Sequence, residues 1–432
     1  MIFEIFLFIW RTFKTIFSSI IWIFKNWWFF ILPILLIKPL LSLWLWYIQH
    51  KWGKKIKHIL LEIRLPKEVP RPMKAMEEVF AGIHSIHDVF DFREVWLEGK
   101  YQLTLSFEIV SDGGKIHFYI RCPEIYRDIV ESNIYAQFPD AEIFEVEDYT
   151  KLVPQNIPNE NWDLFGFDEI TTKPNPYPIK TYKYFEERTD IPEEKRVSPL
   201  AGLLEGMATL KEGEYLWYQI WAKPIREEIP WRKEGLKIVN ELVKRPKPKP
   251  PKSILSAVVD LLIKGKPPEE KPPEETTLEA LALPEMRLTP GEKEIVKAIE
   301  DKISKFGYEC LVRYLYLGKR DVFFKPKARI PFGFFKEISW ESLNGLKPNT
   351  KTMPKVHHPF LEKRRVYLKK RKLFRRYCER LPTLYPFGGG TYVLNTEELA
   401  TLYHFPGKVV APAPTIERVE ARKKEPPPSL AK

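Results

Sequence analysis

The sequence has few of the residues on which protein chemistry usually turns. Its three cysteines, Cys122, Cys310 and Cys378, are far apart, odd in number and outside any CxxC spacing. That excludes a disulfide framework and a thiolate zinc site, and fits ordinary reduced thiols. The eight histidines form no HExxH. His84 and His87 with Asp88 share one side of a helix end, and His357 and His358 lie in a Pro-flanked loop; neither group supplies the three positioned ligands of a catalytic metal site. There is no GxSxG and no cysteine with an evident base nearby. The one dense glycine run, Gly388 to Gly390, is followed by Thr-Tyr-Val-Leu and not by Gly-Lys-Ser/Thr and a helix, so it is a turn before a strand and no phosphate-binding loop. The chain is therefore read as a non-enzyme, with no cofactor and no metal.

What the sequence has in excess is apolar length near its start. Trp27 to Ile48, WWFFILPILLIKPLLSLWLWYI, is roughly 22 residues at about 1.5 Å each, which matches the hydrocarbon core of a bilayer. Trp27, Trp28, Trp44, Trp46 and Tyr47 crowd its two ends, where amphipathic rings favour the headgroup level. Lys51, Lys54, Lys55 and Lys57 follow at once and assign the rest of the chain to the cytoplasmic side of a cell membrane. Lys38, Pro33 and Pro39 inside the run predict a kinked span. In residues 1–24, Glu4, Arg11, Lys14 and Ser18 share one helical face with Lys25 just beyond, which predicts an in-plane amphipathic helix, with a second span as the alternative. The anchor and its basic flank take residues 25–56.

From Ile59 the period changes to that of an α+β protein. Strands are expected at 59–65, 102–110 and 115–122, the last two joined by a Ser-Asp-Gly-Gly turn, with helices at 71–86 and from Pro123 to Phe138 and a returning strand AEIFEVEDY. The order βαββαβ over 57–150 predicts a ferredoxin-like (split βαβ) module. Residues 150–178, dense in Pro and Asn, read as a connection. A strand at 179–186, the helix SPLAGLLEGMATL (198–210) and the strand EYLWYQIWA (214–222) begin a second such module within 151–244. A Pro-rich insertion at 245–288 carries the short apolar helix SILSAVVDLLI. Thr289-Pro290-Gly291-Glu292 then opens an amphipathic helix, and YECLVRYLYL reads as a buried strand, completing the second module over 289–345. Residues 346–410 hold a basic helix and a strand, and 411–432 form a Pro-rich disordered tail.

A formal net charge of +12 favours acidic partners, either anionic lipid or nucleic acid. It is concentrated in the helix KRRVYLKKRKLFRRYCER, where Lys363, Arg364, Arg365, Lys369, Lys370, Arg371, Lys372, Arg375 and Arg376 are candidates to contact an anionic partner while Tyr367 and Phe374 stack or pack. The bland alternative is a solvated cationic face.

Four segments look familiar: SPLAGLLEGMATLKEGEYLWYQIWAKP (198–224), GYECLVRYLYLGKRDVFF (307–324), LNGLKPN (343–349) and YVLNTEELATLYHFPG (392–407). They resemble the region preceding the motor domain in membrane-anchored type IV secretion and conjugative DNA-transfer ATPases. The stretch FEIVSDGGKIHFYIRCPEIYRDIVESNIYAQFPDAEIFEVEDY is similar to a domain of unknown function found in front of such ATPases in bacteria of the small-genome candidate phyla. In that family the His-Phe-Pro motif leads into a RecA-like domain with Walker A and Walker B motifs. This sequence carries neither, so ATP hydrolysis does not carry over. The resemblance instead implies a membrane platform for a Walker-type motor on a separate chain, with Asn395, Thr396, Glu397, Glu398, His404, Phe405 and Pro406 as the expected docking motif. A membrane-tethered nucleic-acid-binding protein acting without a motor is the alternative, and an oligomer is compatible with both.

Overall fold

The computed structural model describes residues 2–66, 72–186, 198–225, 230–243, 288–356, 360–384, 389–406 and 418–419. They belong to two units, one of residues 1–57 with 88–102, the other of residues 58–87 with 103–432. The Pro-rich insertion expected at 245–288 lies outside the described residues apart from Leu288, as does the tail apart from Arg418 and Val419.

The first unit is built on α1, Ile2–Gly53, a single helix of 52 residues. The expected separate helix over 1–24 is not formed. The sequence offers no glycine before Gly53, and Gly53 is where the helix stops. Within α1, Lys25–Gly53 is long and apolar enough to cross a membrane, and its most apolar stretch is not buried by protein. Residues 88–102 lie against its C-terminal end through a short helical segment, Glu94–Glu98.

The second unit mixes helices with one sheet. Its strands are β1 (His58–Pro66), β2 (Leu105–Asp112), β3 (Lys115–Pro123), β4 (Glu142–Val146), β5 (Trp162–Thr171), β6 (Glu214–Pro224), β7 (Gly307–Lys319), β8 (Leu346–Pro348), β9 (Tyr392–Asn395) and β10 (Arg418–Val419). Two ferredoxin-like modules are expected, and the strands form one sheet. The strands run continuously in the order β4-β1-β3-β2-β6-β7-β5-β8, with β2 and β6 paired antiparallel along their whole length. β9 continues the β5 edge of β7, and β10 adds a two-residue parallel pairing to β1. At the seam β2 and β6 are both buried on their two faces, so neither is left as an edge.

Two segments were misread. β5 falls in the stretch expected to be a connection; the surrounding Pro and Asn obscured the run LFGFDEI. The strand expected at 179–186 is absent, and only Lys183–Glu186 coils, as α4. Its backbone donors are taken elsewhere: Ile179 N–H by Glu398 Oε1, Lys180 N–H by the Ile338 carbonyl, Tyr182 N–H by Thr401 Oγ1.

One sheet face is covered by α2 (Lys74–Ile83), α3 (Arg127–Gln137), α5 (Ala201–Ala208), α8 (Ile330–Glu337) and α10 (Thr396–Leu402). Phe80, Phe107, Phe167, Tyr314, Phe334 and Tyr403 fill the core beneath them. α6 (Pro230–Leu242) and α7 (Pro290–Ser304) pack on each other through Val239 and Ile299. Thr289 and Glu292 close the expected capping box at the start of α7. On the opposite face the basic helix α9 (Glu362–Cys378) seals a smaller core containing Val110, Tyr149, Trp217 and Leu315.

Candidate functional site

Four neighbouring strands each place a fully buried polar residue on the same face: Glu108 in β2, Gln219 in β6, Arg313 in β7 and Asp168 in β5. The register aligns them side by side, Glu108 with Gln219, Gln219 with Arg313 and Arg313 with Asp168, in a row crossing the face under α9. Buried charges survive only when paired. Here Arg313 pairs with Asp168 across the strands, and the cation for Glu108 comes from the chain leaving α9.

Arg380, held at a φ of 52°, turns back under the helix. Its guanidinium takes Glu108 in a two-pronged grip, Nε to Oε1 and Nη2 to Oε2, both at 3.0 Å, and Asp148 at 2.5 and 3.0 Å. Ser106, Tyr149 and Gln219 also donate to Glu108, at 2.6, 2.7 and 2.9 Å. Burial pushes the Glu108 carboxyl up, but the Arg380 charge and these donors outweigh it and hold it below its ordinary range. Alongside, Arg313 binds Asp168 at 2.8 Å and donates to the carbonyls of Arg376 and Leu381, while Thr383 donates to the second Asp168 oxygen. The two arginine clamps pin the C-terminal end of α9 to the sheet.

On top of this base, Leu373, Phe374 and Tyr377 point inward, with the Tyr377 ring 5.3 Å from Trp217. Four of the nine candidate cations have a partner within the chain: Lys369 in the carbonyls of Met353 and Lys355, Lys370 in Asp163 at 2.5 Å, Arg371 in the carbonyl of Gln155 and Arg375 in Glu379 at 3.4 Å, one turn on. Arg376 is half-buried, and burial lowers its pKa. Lys363, Arg364, Arg365, Lys372 and Arg375 are exposed, with Tyr367 and Leu368 exposed among them. An open groove of about 1090 Å³ separates Lys363, Tyr367 and Lys370 from Asn159, Asn161 and Arg320, and a second of about 650 Å³ runs beside Lys372 and Arg375. This surface can bind an anion, and among the described residues it pairs no nucleophile with a base.

The expected docking motif lies elsewhere. β9, α10 and the residues just after α10 carry it, and Asn395, Thr396, Glu397, Glu398, His404 and Phe405 are all buried, with Pro406 half-buried. Asn395 and Glu398 close a capping box. Glu398 pairs with Lys302 at 3.0 Å, both out of solvent; burial raises the carboxyl and lowers the ammonium, each held back by the other's charge. Glu397 binds Lys305 at 2.5 Å and Lys183 at 2.8 Å and accepts from Thr181. His404 Nδ1 lies 2.9 Å from the Ala400 carbonyl, which makes that nitrogen the donor and leaves Nε2 to accept from Ser198 at 2.6 Å. Burial lowers His404 to about 4, so it is neutral at physiological pH. These side chains are spent on the interior, and a partner would meet their surroundings instead.

Among the described residues, no group of three or more His, Cys, Asp or Glu is placed to hold a metal ion. Burial pushes the thiols of Cys122 and Cys378 up to about 12, which makes them poor nucleophiles. The sequence reading found the cations of α9 but missed Glu108, Asp148, Asp168, Arg313 and Arg380. The signal was available: a lone charge at the centre of an apolar strand has to be matched from another element. A scan against family models returns no match, and a search of curated proteins returns none.

Proposed function

We propose that this chain is a non-catalytic, membrane-anchored platform of a type IV secretion or DNA-transfer-like machine, with most of its mass in the cytoplasm and a motor ATPase docking from a separate chain. The observation that carries this reading is α1, whose apolar residues at 27–30 and 32–43 are exposed and so call for lipid. The link to a transfer machine rests on the resemblance of residues 198–224, 307–324, 343–349 and 392–407 to a pre-motor region. Each half of the sheet also follows the strand order 4-1-3-2, which supports two ferredoxin-like repeats fused edge to edge. Because the side chains of Asn395 to Phe405 are buried, motor contact is assigned to the exposed ridge of α9. The tagged chain, solubilised in mild detergent, should bring down a Walker-type ATPase, and the triple variant Arg364→Glu, Lys372→Glu, Arg375→Glu should lose it. Recovery of the chain alone under gentle conditions overturns the reading.

The second reading, a nucleic-acid tether that needs no motor, is favoured by the exposed Tyr367 among the cations of α9. If the five exposed cations engage a single strand, affinity should fall roughly 100-fold between about 50 and 200 mM salt. Fluorescence anisotropy measures this, and a flat salt dependence rejects phosphate contact.

A further inference from the structure

Between α2 and β2 the chain makes an excursion, DVFDFREVWLEGKYQ (88–102), that leaves three large apolar side chains in the open: Phe92 is 78% exposed, Val89 64% and Leu97 64%. A soluble surface rarely keeps such a cluster uncovered. The excursion is fastened along the last turns of α1. The Trp44 indole N–H donates to the Trp96 carbonyl at 2.9 Å, and the Trp52 and Tyr101 rings meet edge to face at 5.0 Å. Gly99, at a φ of 76°, packs so closely on Ile48 that a Cβ there would lie 2.5 Å from the Ile48 carbonyl carbon. Trp96, Gly99 and Tyr101 thus run beside residues 44, 48 and 52 in step. The depth of the excursion is set by that of α1: Trp96 lies level with Trp44, in the aromatic band that ends the apolar run. Phe92 stacks on Trp96 at 5.9 Å and so shares that level. Lys100 pairs with Glu94 and Glu98 at 2.8 and 3.1 Å, which offsets part of the charge that opposes entry into a less polar medium.

We propose that residues 88–98 are a second, interfacial lipid contact: Val89, Phe92 and Leu97 enter the headgroup and upper acyl region of the membrane beside the span. Continuity with the exposed apolar surface of Leu40, Leu43 and Tyr47 argues for lipid as the occupant. Amphipathic segments of this kind lie in the plane of the membrane with their apolar side just below the headgroups. The inference rests on reading α1 as a span, and the test separates the two.

The full chain, with half-buried Cys378 replaced by Ser and the buried Cys122 and Cys310 retained, is reconstituted into phosphatidylcholine–phosphatidylglycerol vesicles. An environment-sensitive fluorophore is placed at Phe92→Cys, at Leu97→Cys or, in the span, at Leu35→Cys. The label at 35 should lose most of its emission to a lipid nitroxide deep in the acyl chain. Labels at 92 and 97 should be quenched several-fold more by a nitroxide just below the headgroup than by aqueous iodide. Quenching at 92 and 97 by iodide alone, with 35 still quenched by the deep probe, overturns the interfacial contact and leaves the span. Protection at 92 and 97 from both quenchers means that protein covers the patch, and also overturns it. Failure of the deep probe at 35 removes the span, and the inference with it.

Discussion

Glu169 sits in β5 with no solvent exposure and with neither carboxyl oxygen hydrogen-bonded. It lies near enough to Tyr218, Tyr314 and Tyr392 for its charge to disfavour theirs. Burial, with the neighbouring Asp168 charge, pushes it from 4.5 up to about 8. Between those values the folded chain holds a proton that the unfolded chain has released, so stability falls as pH rises, by about 1.36 kcal/mol per pH unit. The loss is nil below 4.5, about 3 kcal/mol at pH 7 and about 5 kcal/mol above 8. His404 works in the opposite sense. Its folded value of about 4 lies below the ordinary 6.5, so its contribution is full above 6.5 and is lost as pH falls towards 4. In the wild type the Glu169 and His404 contributions run in opposite directions between about 4.5 and 6.5, and that of Glu169 goes on falling from there to about 8. Glu169→Gln keeps the shape and cannot ionise. Its stability should therefore gain on the wild type by about 4 kcal/mol between about pH 5 and pH 8. Urea unfolding of the detergent-solubilised chain, followed by near-ultraviolet circular dichroism, measures the difference. Parallel curves for the two proteins would refute a neutral buried carboxyl.

Arg380→Ala strips Glu108 and Asp148 of their shared cation and should destabilise the second unit by about 3–5 kcal/mol; adding Glu108→Gln should recover part of that loss in the same melt. Replacing Arg364, Arg365, Lys372 and Arg375 together by Gln should move the thermal midpoint little, since exposed charges each contribute within about 0.5 kcal/mol, while anionic-partner binding falls sharply. Orientation is checked at Ser132, which is exposed: Ser132→Cys should resist a membrane-impermeant thiol reagent in intact cells and react after lysis, and labelling of intact cells would put the second unit on the far side. Replacing Lys51, Lys54, Lys55 and Lys57 by Gln should weaken that preference and leave membrane insertion intact, as fractionation would report.

Elements with a strong local signal were legible in the sequence. β1, β3 and β7 alternate or run apolar, the turn before β3 carries its two glycines, and α7 announces itself with Thr289 and Glu292. What was not legible depends on contacts distant in sequence. β5 is flanked by Pro and Asn and is a strand because β7 pairs with it from Trp162 to Asp168. The fusion of the two halves is a pairing of β2 with β6 about 100 residues on. Arg380 belongs to the site only because the chain turns left-handed after α9 and brings it under the helix.

The most distinctive stretch of the sequence, Leu394 to Pro406, was expected to mark a contact surface, and its burial shows why distinctiveness is a poor guide. A short helix enclosed on all sides must satisfy its cap and every charge internally. Asn395 and Glu398 cap each other, Glu398 needs Lys302, Glu397 needs Lys305 and Lys183, and His404 needs Ser198. These partners come from separate elements, so a change at any one strands a buried polar group. Such interlocking constrains residues as tightly as an interface would. On the proposed function the exposed ridge of α9 is under the opposite regime, since a phosphate or carboxylate partner would read charge and spacing more than side-chain shape. Lys-for-Arg exchanges at 364, 365 and 375 should therefore preserve partner capture, whereas Lys302→Arg, which has to fit a larger fork into the site of a buried ammonium, should destabilise the second unit while leaving that ridge unchanged.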